Sequence, residues 1–263
     1  MSEKEGQTAT VTTIAEEIAP HYRQKIPSWG ALFKQLATCR KVLQDGRNTT
    51  KQIDFDGLSI VIKAFKKPSP LQGWIYTYCR KSKARRAYEY ALHLNELGIA
   101  THPPIAYREE RKCGRLHDSY FASERIEYDL SMRDVLQQGD ETDQGTLKSF
   151  VEFTFSLHRS GVLHLDYTPG NILIKRNQKS LAFSIIDINR MRFGKVSEKD
   201  GIENFFNLTS NEKILRDIAN LYADCRGGDS DRYYEILQLR QDKKQRQNAR
   251  KQTIRKILGI HHA

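Results

Sequence analysis

The run His164-Leu165-Asp166-Tyr167-Thr168-Pro169-Gly170-Asn171-Ile172-Leu173-Ile174 decides how this chain reads. An acid and an amide stand five positions apart, and an apolar strand-like segment follows at once. In loops of the form H-R-D-x-x-x-x-N, which transfer phosphoryl groups, the Asp receives the proton of the attacking hydroxyl and the Asn coordinates magnesium. Asp166 and Asn171 keep that separation, while Leu165 stands where the motif has Arg. His164 is expected to shape the loop by bonding backbone carbonyls rather than to exchange protons.

Three fixed residues recur by chance, so the argument needs the other parts of the machinery in the right order. Downstream, residues 181–186 form an apolar run of strand type that ends at Asp187, the position of the metal-binding Asp of D-F-G; the triplet here is Asp187-Ile188-Asn189. Upstream, the β-branched run 58–62 delivers Lys63 where a strand-borne lysine grips the α- and β-phosphates. Residues 82–97 then read as a helix, with Ala84, Ala87, Tyr88, Ala91, Leu92 and Leu97 at helical spacing and Gly98 as a stop. Glu89, in its middle, is expected to pair with Lys63 and fix the direction of the ammonium. A glycine-rich lid, G-x-G-x-x-G, is missing ahead of Lys63. The candidate turn is Gly46-Arg47-Asn48-Thr49-Thr50, because anion binding needs donors rather than one sequence. Glu127 and Tyr128 are the expected hinge whose backbone meets adenine.

Around these landmarks the periodicity predicts a helix over 28–38, strands near 41–45, 50–55, 58–65, 105–109 and 119–126, and helices over 131–138, 146–160, 211–225 and 230–257. A hairpin over 172–187 would present the metal ligands. The expected fold class is α+β: a two-lobed protein-kinase-like fold with a β-rich N-lobe carrying one key helix and a mainly helical C-lobe. The division falls as 1–127 and 128–263, with residues 1–12 disordered.

Thr168 stands where protein Ser/Thr kinases usually carry Lys, and no A-P-E triplet follows Asp187, so the H-x-D-x-x-P-x-N form points away from peptide substrates. The combination of Lys63, residues 84–89, Leu97-Gly98-Ile99 with Pro103-Pro104, the Asp166 loop and residues 186–190 resembles the lipopolysaccharide-core kinase family. The resemblance covers roughly residues 45 to 220. It implies ATP and Mg2+ as cofactors, with Asp166 as base, Asn171 and Asp187 as metal ligands, Lys63 as phosphate clamp and Glu89 as its partner. The substrate it implies is a lipopolysaccharide precursor, Kdo-lipid A or heptosylated core, phosphorylated on a Kdo or heptose hydroxyl. The departures from the family pattern are the weak lid and Asn189 as the third residue of the metal triplet. Arg190 and Arg192, directly after Asp187, are candidates to receive the carboxylate or phosphate of an acidic sugar.

Composition narrows the setting. The chain has 263 residues, a formal net charge of +11 and 38% hydrophobic residues, enough for one core per lobe. No run of about 18 apolar residues and no apolar N-terminal segment occur, so a cytoplasmic protein is expected. Four scattered cysteines, Cys39, Cys79, Cys113 and Cys225, form no C-x-x-C pair, and His261 and His262 read as tail residues. The positive charge favours polyanions, yet the clusters at 80–86 and 240–256 do not interleave aromatics, so nucleic acid is not expected. Each Lys or Arg near an anionic leaflet contributes about 1 kcal/mol, which would let the cluster at 240–256 hold the protein on the inner membrane as a peripheral protein. Ile254, Ile257 and Leu258 would add an apolar stripe. The rival readings are a kinase of another small molecule or of protein, and a catalytically silent module that binds lipid or a partner. Retention of Lys63, Asp166, Asn171 and Asp187 together speaks against silence.

Overall fold

The computed structural model describes residues 11–46, 48–178 and 180–257, with side chains among them except at 251 and 254–257. The chain divides into two compact units, Met1–Ile126 with Asp187–Asn189, and Glu127–Ile186 with Arg190–Ala263.

The first unit is built on one antiparallel sheet of six strands: β1 (Thr12–Ile18), β2 (Val42–Gln44), β3 (Thr49–Phe55), β4 (Leu58–Ala64), β5 (Pro104–Lys112) and β6 (Arg115–Glu124), in the order β1-β5-β6-β4-β3-β2. Strand period explains β4: Ile60 and Ile62 are buried, and Lys63, of the other parity, emerges opposite Phe121 on β6 and Thr50 on β3. Helix α1 (Trp29–Thr38) starts where the Ser28 hydroxyl accepts the Ala31 N–H, and its Trp29 and Leu32 are buried. The Trp29 indole donates to the Tyr107 carbonyl at 3.0 Å, so its one polar atom is satisfied inside the core. Helix α3 (Lys83–Glu96) buries Ala84, Ala87, Tyr88, Ala91 and Leu94, whereas Leu97 falls past its end and is exposed.

Two elements of this unit depart from expectation. Strand β1 begins at Thr12 and pairs along β5, with Ile18 opposite Ala106; residues 1–10, predicted disordered, lie outside the described residues. Its pattern, TTIAEEI, is that of a polar edge strand: Glu16 accepts from Arg108 at 2.7 Å and Glu17 from the Tyr88 hydroxyl at 3.2 Å. The second is helix α2 (Pro70–Tyr78), which opens on a capping box between Ser69 and Gln72 with Pro70 in its first turn.

The second unit carries β7 (Leu130–Ser131), α4 (Met132–Leu136), α5 (Gln144–Arg159), β8 (Val162–His164), β9 (Ile172–Asn177), β10 (Ser180–Ile185), β11 (Met191–Phe193), α6 (Glu198–Glu203), α7 (Glu212–Arg226) and α8 (Ser230–Ile257). Its strands form two small sheets, β10-β9-β7 and β11-β8. The core is aromatic: Phe150 on α5 lies against the rings of Tyr167, Phe183 and Phe205, and Phe205 against Tyr222 on α7. Helix α7 ends at Gly227, whose φ of 78° makes the left-handed cap that glycine adopts without cost. Helix α8 buries Tyr233 and Leu237 near its start, and from 242 to 250 every side chain is exposed.

Candidate active site

In the second unit, β8 feeds the loop that contains Asp166. Its turn is closed by backbone bonds from Thr168 N–H to the Asp166 carbonyl and from Asn171 N–H to the Thr168 carbonyl, both 2.9 Å. The Asn171 side-chain amide donates to the Asp166 carbonyl at 2.9 Å. That bond uses the nitrogen of the amide; the oxygen is the atom of this side chain able to ligate a cation. The Arg190 guanidinium stands 3.5 Å from the Asp166 carboxylate. Tyr167 is buried beneath the loop, where its hydroxyl meets Thr154 Oγ1 at 2.8 Å; burial pushes the phenol well above its ordinary value.

His164 ties the loop down as expected of it. Its Nδ1 accepts the Asp166 N–H at 3.1 Å, so the ring must be protonated at Nε2, which donates to the Ile186 carbonyl at 3.0 Å. The Ile186 N–H in turn reaches the Asn171 carbonyl at 2.9 Å. Sequence reasoning missed the support behind this: Asn204 donates its side-chain amide to the His164 carbonyl at 2.8 Å and accepts with its oxygen from His158 Nε2 at 3.2 Å. His158 Nδ1 must then accept from the Tyr222 hydroxyl, 2.9 Å away. The polarity of the whole chain, Tyr222 to His158 to Asn204 to His164 to Ile186, follows from donor and acceptor chemistry alone. Burial holds His158 neutral, with its pKa lowered to about 4. The readable signal was a histidine on the buried stripe of α5, one position after Leu157.

In the first unit, Lys63 Nζ pairs with Asp187 Oδ1 at 2.8 Å, and their side chains are 18% and 30% exposed. Asn189 donates its amide to the same oxygen, and Asp187 holds a left-handed backbone, φ 56°. His102 also feels these charges. Its pKa is lowered to about 4, by burial first and the Lys63 charge second, and its enclosed Nε2 has no hydrogen-bond partner among the described residues. Nothing in the sequence reading pointed to it.

Several expectations need correction. Glu89 is not the partner of Lys63: it accepts from Lys81 at 2.8 Å and from Arg85 at 2.9 Å, cations that sit nearby on the same chain segment, and these hydrogen bonds lower its pKa against the opposing cost of burial. Lys63 takes Asp187 instead. Arg192 is engaged with Asp200 at 2.6 Å, whereas Arg190 is the arginine that meets Asp166. Of the lid candidates, Gly46 lies in the turn between β2 and β3, Thr49 opens β3, and Asn48 accepts the Lys66 N–H at 3.1 Å; Arg47 lies outside the described residues. Glu127 and Tyr128 begin the second unit, in a link that Asp129 anchors by donating its N–H to the Ile174 carbonyl and accepting from Arg176 N–H and Lys175. The stripe expected at Ile254 and Ile257 concerns side chains outside the described set, as do Leu258, His261 and His262.

The donor set is one of hard oxygens. Among the described residues no group of three or more His, Cys, Asp or Glu could hold a metal ion. A carboxylate at Asp187 and an amide oxygen at Asn171 suit Mg2+, which keeps waters and phosphate oxygens as its other ligands and rarely takes an all-protein cage. The residues therefore fit the ion.

Lys63 paired with Asp187 in the first unit, and the turn that carries Asp166 and Asn171 in the second, are parts of the kind a protein-kinase-like phosphotransferase uses. Residues 74–223 match the model of the Lipopolysaccharide kinase (Kdo/WaaP) family, and the chain belongs to that family. A solved structure described as WaaP in complex with acyl carrier protein shares the fold, with a TM-score of 0.61 at 17% identity over 89% of this chain and 98% of that one. No curated protein matches the chain.

Proposed function

We propose that this kinase uses ATP and Mg2+ to phosphorylate a sugar hydroxyl, on Kdo or heptose, of the lipopolysaccharide inner core at the cytoplasmic face of the inner membrane. The observation that carries the reading is the Asp166 turn, lying inside the stretch matched to the lipopolysaccharide kinase family. Bound ATP supplies the phosphoryl group, and magnesium neutralises the charge on its oxygens.

Every other step belongs to side chains of this protein. The Asp166 carboxylate accepts the proton of the sugar hydroxyl and aims that oxygen; the Asn171 bond to its carbonyl keeps the turn closed while it does so. Arg190, beside Asp166, holds the carboxylate and offers remaining N–H groups to an acidic sugar. By the family resemblance, Lys63 would clamp phosphate oxygens, Asp187 and Asn171 would each offer an oxygen to the metal, and backbone groups at 127–128 would meet the adenine. Gly46, Asn48 and Thr49 would cover the phosphates. The basic, exposed run of α8 from Lys243 to Arg250 supports a peripheral position on an anionic membrane, and no helix of the described residues is long and apolar enough to cross one.

The test is transfer of labelled γ-phosphate to Kdo-lipid A and to heptosylated core, comparing wild type with Asp166→Ala. Wild type should label one acceptor, and the variant should lose about 10³-fold in turnover while nucleotide binding persists. Labelling only of added protein, or equal turnover by the variant, would overturn the reading.

A further inference from the structure

Helix α2 lies on the first unit with its apolar side outward. Its inner face is Gly73 and Thr77: a methyl group at Gly73 would come within 3.1 Å of the Leu116 carbonyl, and the Thr77 hydroxyl donates to the Gly73 carbonyl and accepts the Leu116 N–H at 3.2 Å. The helix is thus anchored to the backbone of β6 by its small and polar residues. Opposite them, Leu71, Trp74, Ile75 and Tyr78 follow the i, i+3, i+4, i+7 rhythm of one helix face and are 73%, 46%, 43% and 68% exposed. The Trp74 and Tyr78 rings stack on each other, 5.1 Å apart.

The surroundings of this face are cationic. Residues 57–88 contain no Asp or Glu and eight Lys and Arg. Lys66 and Lys67 lead into α2, and the exposed Arg80 and Lys81 lead out of it. Beside the helix, Lys66, Lys67, Lys83, Ser69, Gln72 and Ser119 are among the groups lining a cavity of about 310 Å³. Lys67 also reaches Asp118 at 3.6 Å, with the lysine side chain 62% and the aspartate 18% exposed.

We infer that α2 is an interfacial helix. Leu71, Trp74, Ile75 and Tyr78 enter the surface of an anionic lipid bilayer, and the adjoining lysine-lined cavity receives a lipid headgroup phosphate. A helix with an aromatic apolar face and flanking cations lies in the plane of such a surface, with Trp and Tyr at headgroup level and Lys reaching up beside them. The charge complementarity selects a bilayer of net negative charge over a zwitterionic one. The inference deepens the proposed lipid-borne acceptor, and its test contains no sugar, so each can fail separately.

The 263-residue chain is mixed with vesicles of phosphatidylcholine alone or with about a third phosphatidylglycerol. Trp29 is fully buried and bonded, so a shift in tryptophan emission reports Trp74. Blue-shifted emission and co-sedimentation with the anionic vesicles only are expected. A double Leu71→Ser, Trp74→Ser variant, verified as folded by its melting transition, should lower partitioning at least about tenfold. Lys66→Gln with Lys67→Gln should lower it several-fold and weaken its dependence on salt. Undiminished vesicle binding by the Leu71/Trp74 variant would sink the inference. So would a blue shift that tracks protein concentration without lipid, marking the face as a self-association surface, or one produced by acyl carrier protein and not by vesicles.

Discussion

At Asp187 the backbone adopts φ 56°, a region that L residues avoid unless, like Asp and Asn, they carry a short polar side chain. The carboxylate is thereby turned to Lys63 and the Asn189 amide at once. Asp187→Asn keeps the backbone preference and removes the charge. Unfolding free energy should move by less than about 1 kcal/mol, since the pair is partly solvated, while magnesium-dependent turnover should fall at least about a hundredfold. Calorimetry alongside a single-turnover assay separates the two, and an active variant would remove Asp187 from the machinery. Glu89 teaches the converse. Its position in the middle of α3 suggested Lys63, but Arg85, four residues earlier on the same helix, was legible as a local competitor, and a contact that costs little chain entropy outcompetes a distant one.

Among the elements, α6 shows how closely the loop support is packed. Gly201 sits where an added Cβ would fall 3.2 Å from His158 Nδ1 and in hard overlap with the Tyr222 hydroxyl. Gly201→Ala should therefore cost about 1–3 kcal/mol by overpacking and should lower turnover further by displacing the His158–Asn204–His164 chain. Urea unfolding combined with kcat and KM reads both, and unchanged kcat at reduced stability would confine the chain to a structural role. The long helices α1, α3, α5, α7 and α8 were legible because each carries a cap, a stripe or sheer length. Helix α2 and strand β1 were not, for one physical reason: pattern reading looks for an apolar face turned to the core. Helix α2 turns its apolar face outward and rests on Gly73 and Thr77, and β1 is a polar edge strand held by its backbone pairing with β5 and by the Arg108–Glu16 ion pair. The capping box Ser69-Pro70-Leu71-Gln72 was the local signal available.

On the scale of the whole molecule, two histidines held in neutral form, His158 buried and His102 half-buried with its Nε2 enclosed, make stability depend on pH. His158 and His102 have pKa values lowered from the ordinary 6.5 to about 4, mainly by burial. Between those values the unfolded chain binds protons that the folded one excludes. Stability is then complete above about pH 6.5 and is lost as pH falls toward 4, by up to about 3 kcal/mol for each histidine. Melting temperatures from pH 8 to 4.5 should decline over that window. His158→Gln should remove about half of the decline, and a slope identical to wild type would show that His158 charges without penalty.

What the amino-acid order determined alone was the inventory of the proposed site: Asp166 and Asn171 in one turn, Lys63 at the end of an alternating strand, and Asp187 at the end of another apolar run. These follow from spacing and strand period, which are local properties of the chain. The partner of Lys63, 124 residues away, the support of His164 by Asn204 and His158, and the outward face of α2 were decided only by tertiary structure. Each depends on which distant groups the packed core leaves within hydrogen-bonding reach or leaves uncovered, and no local periodicity encodes that.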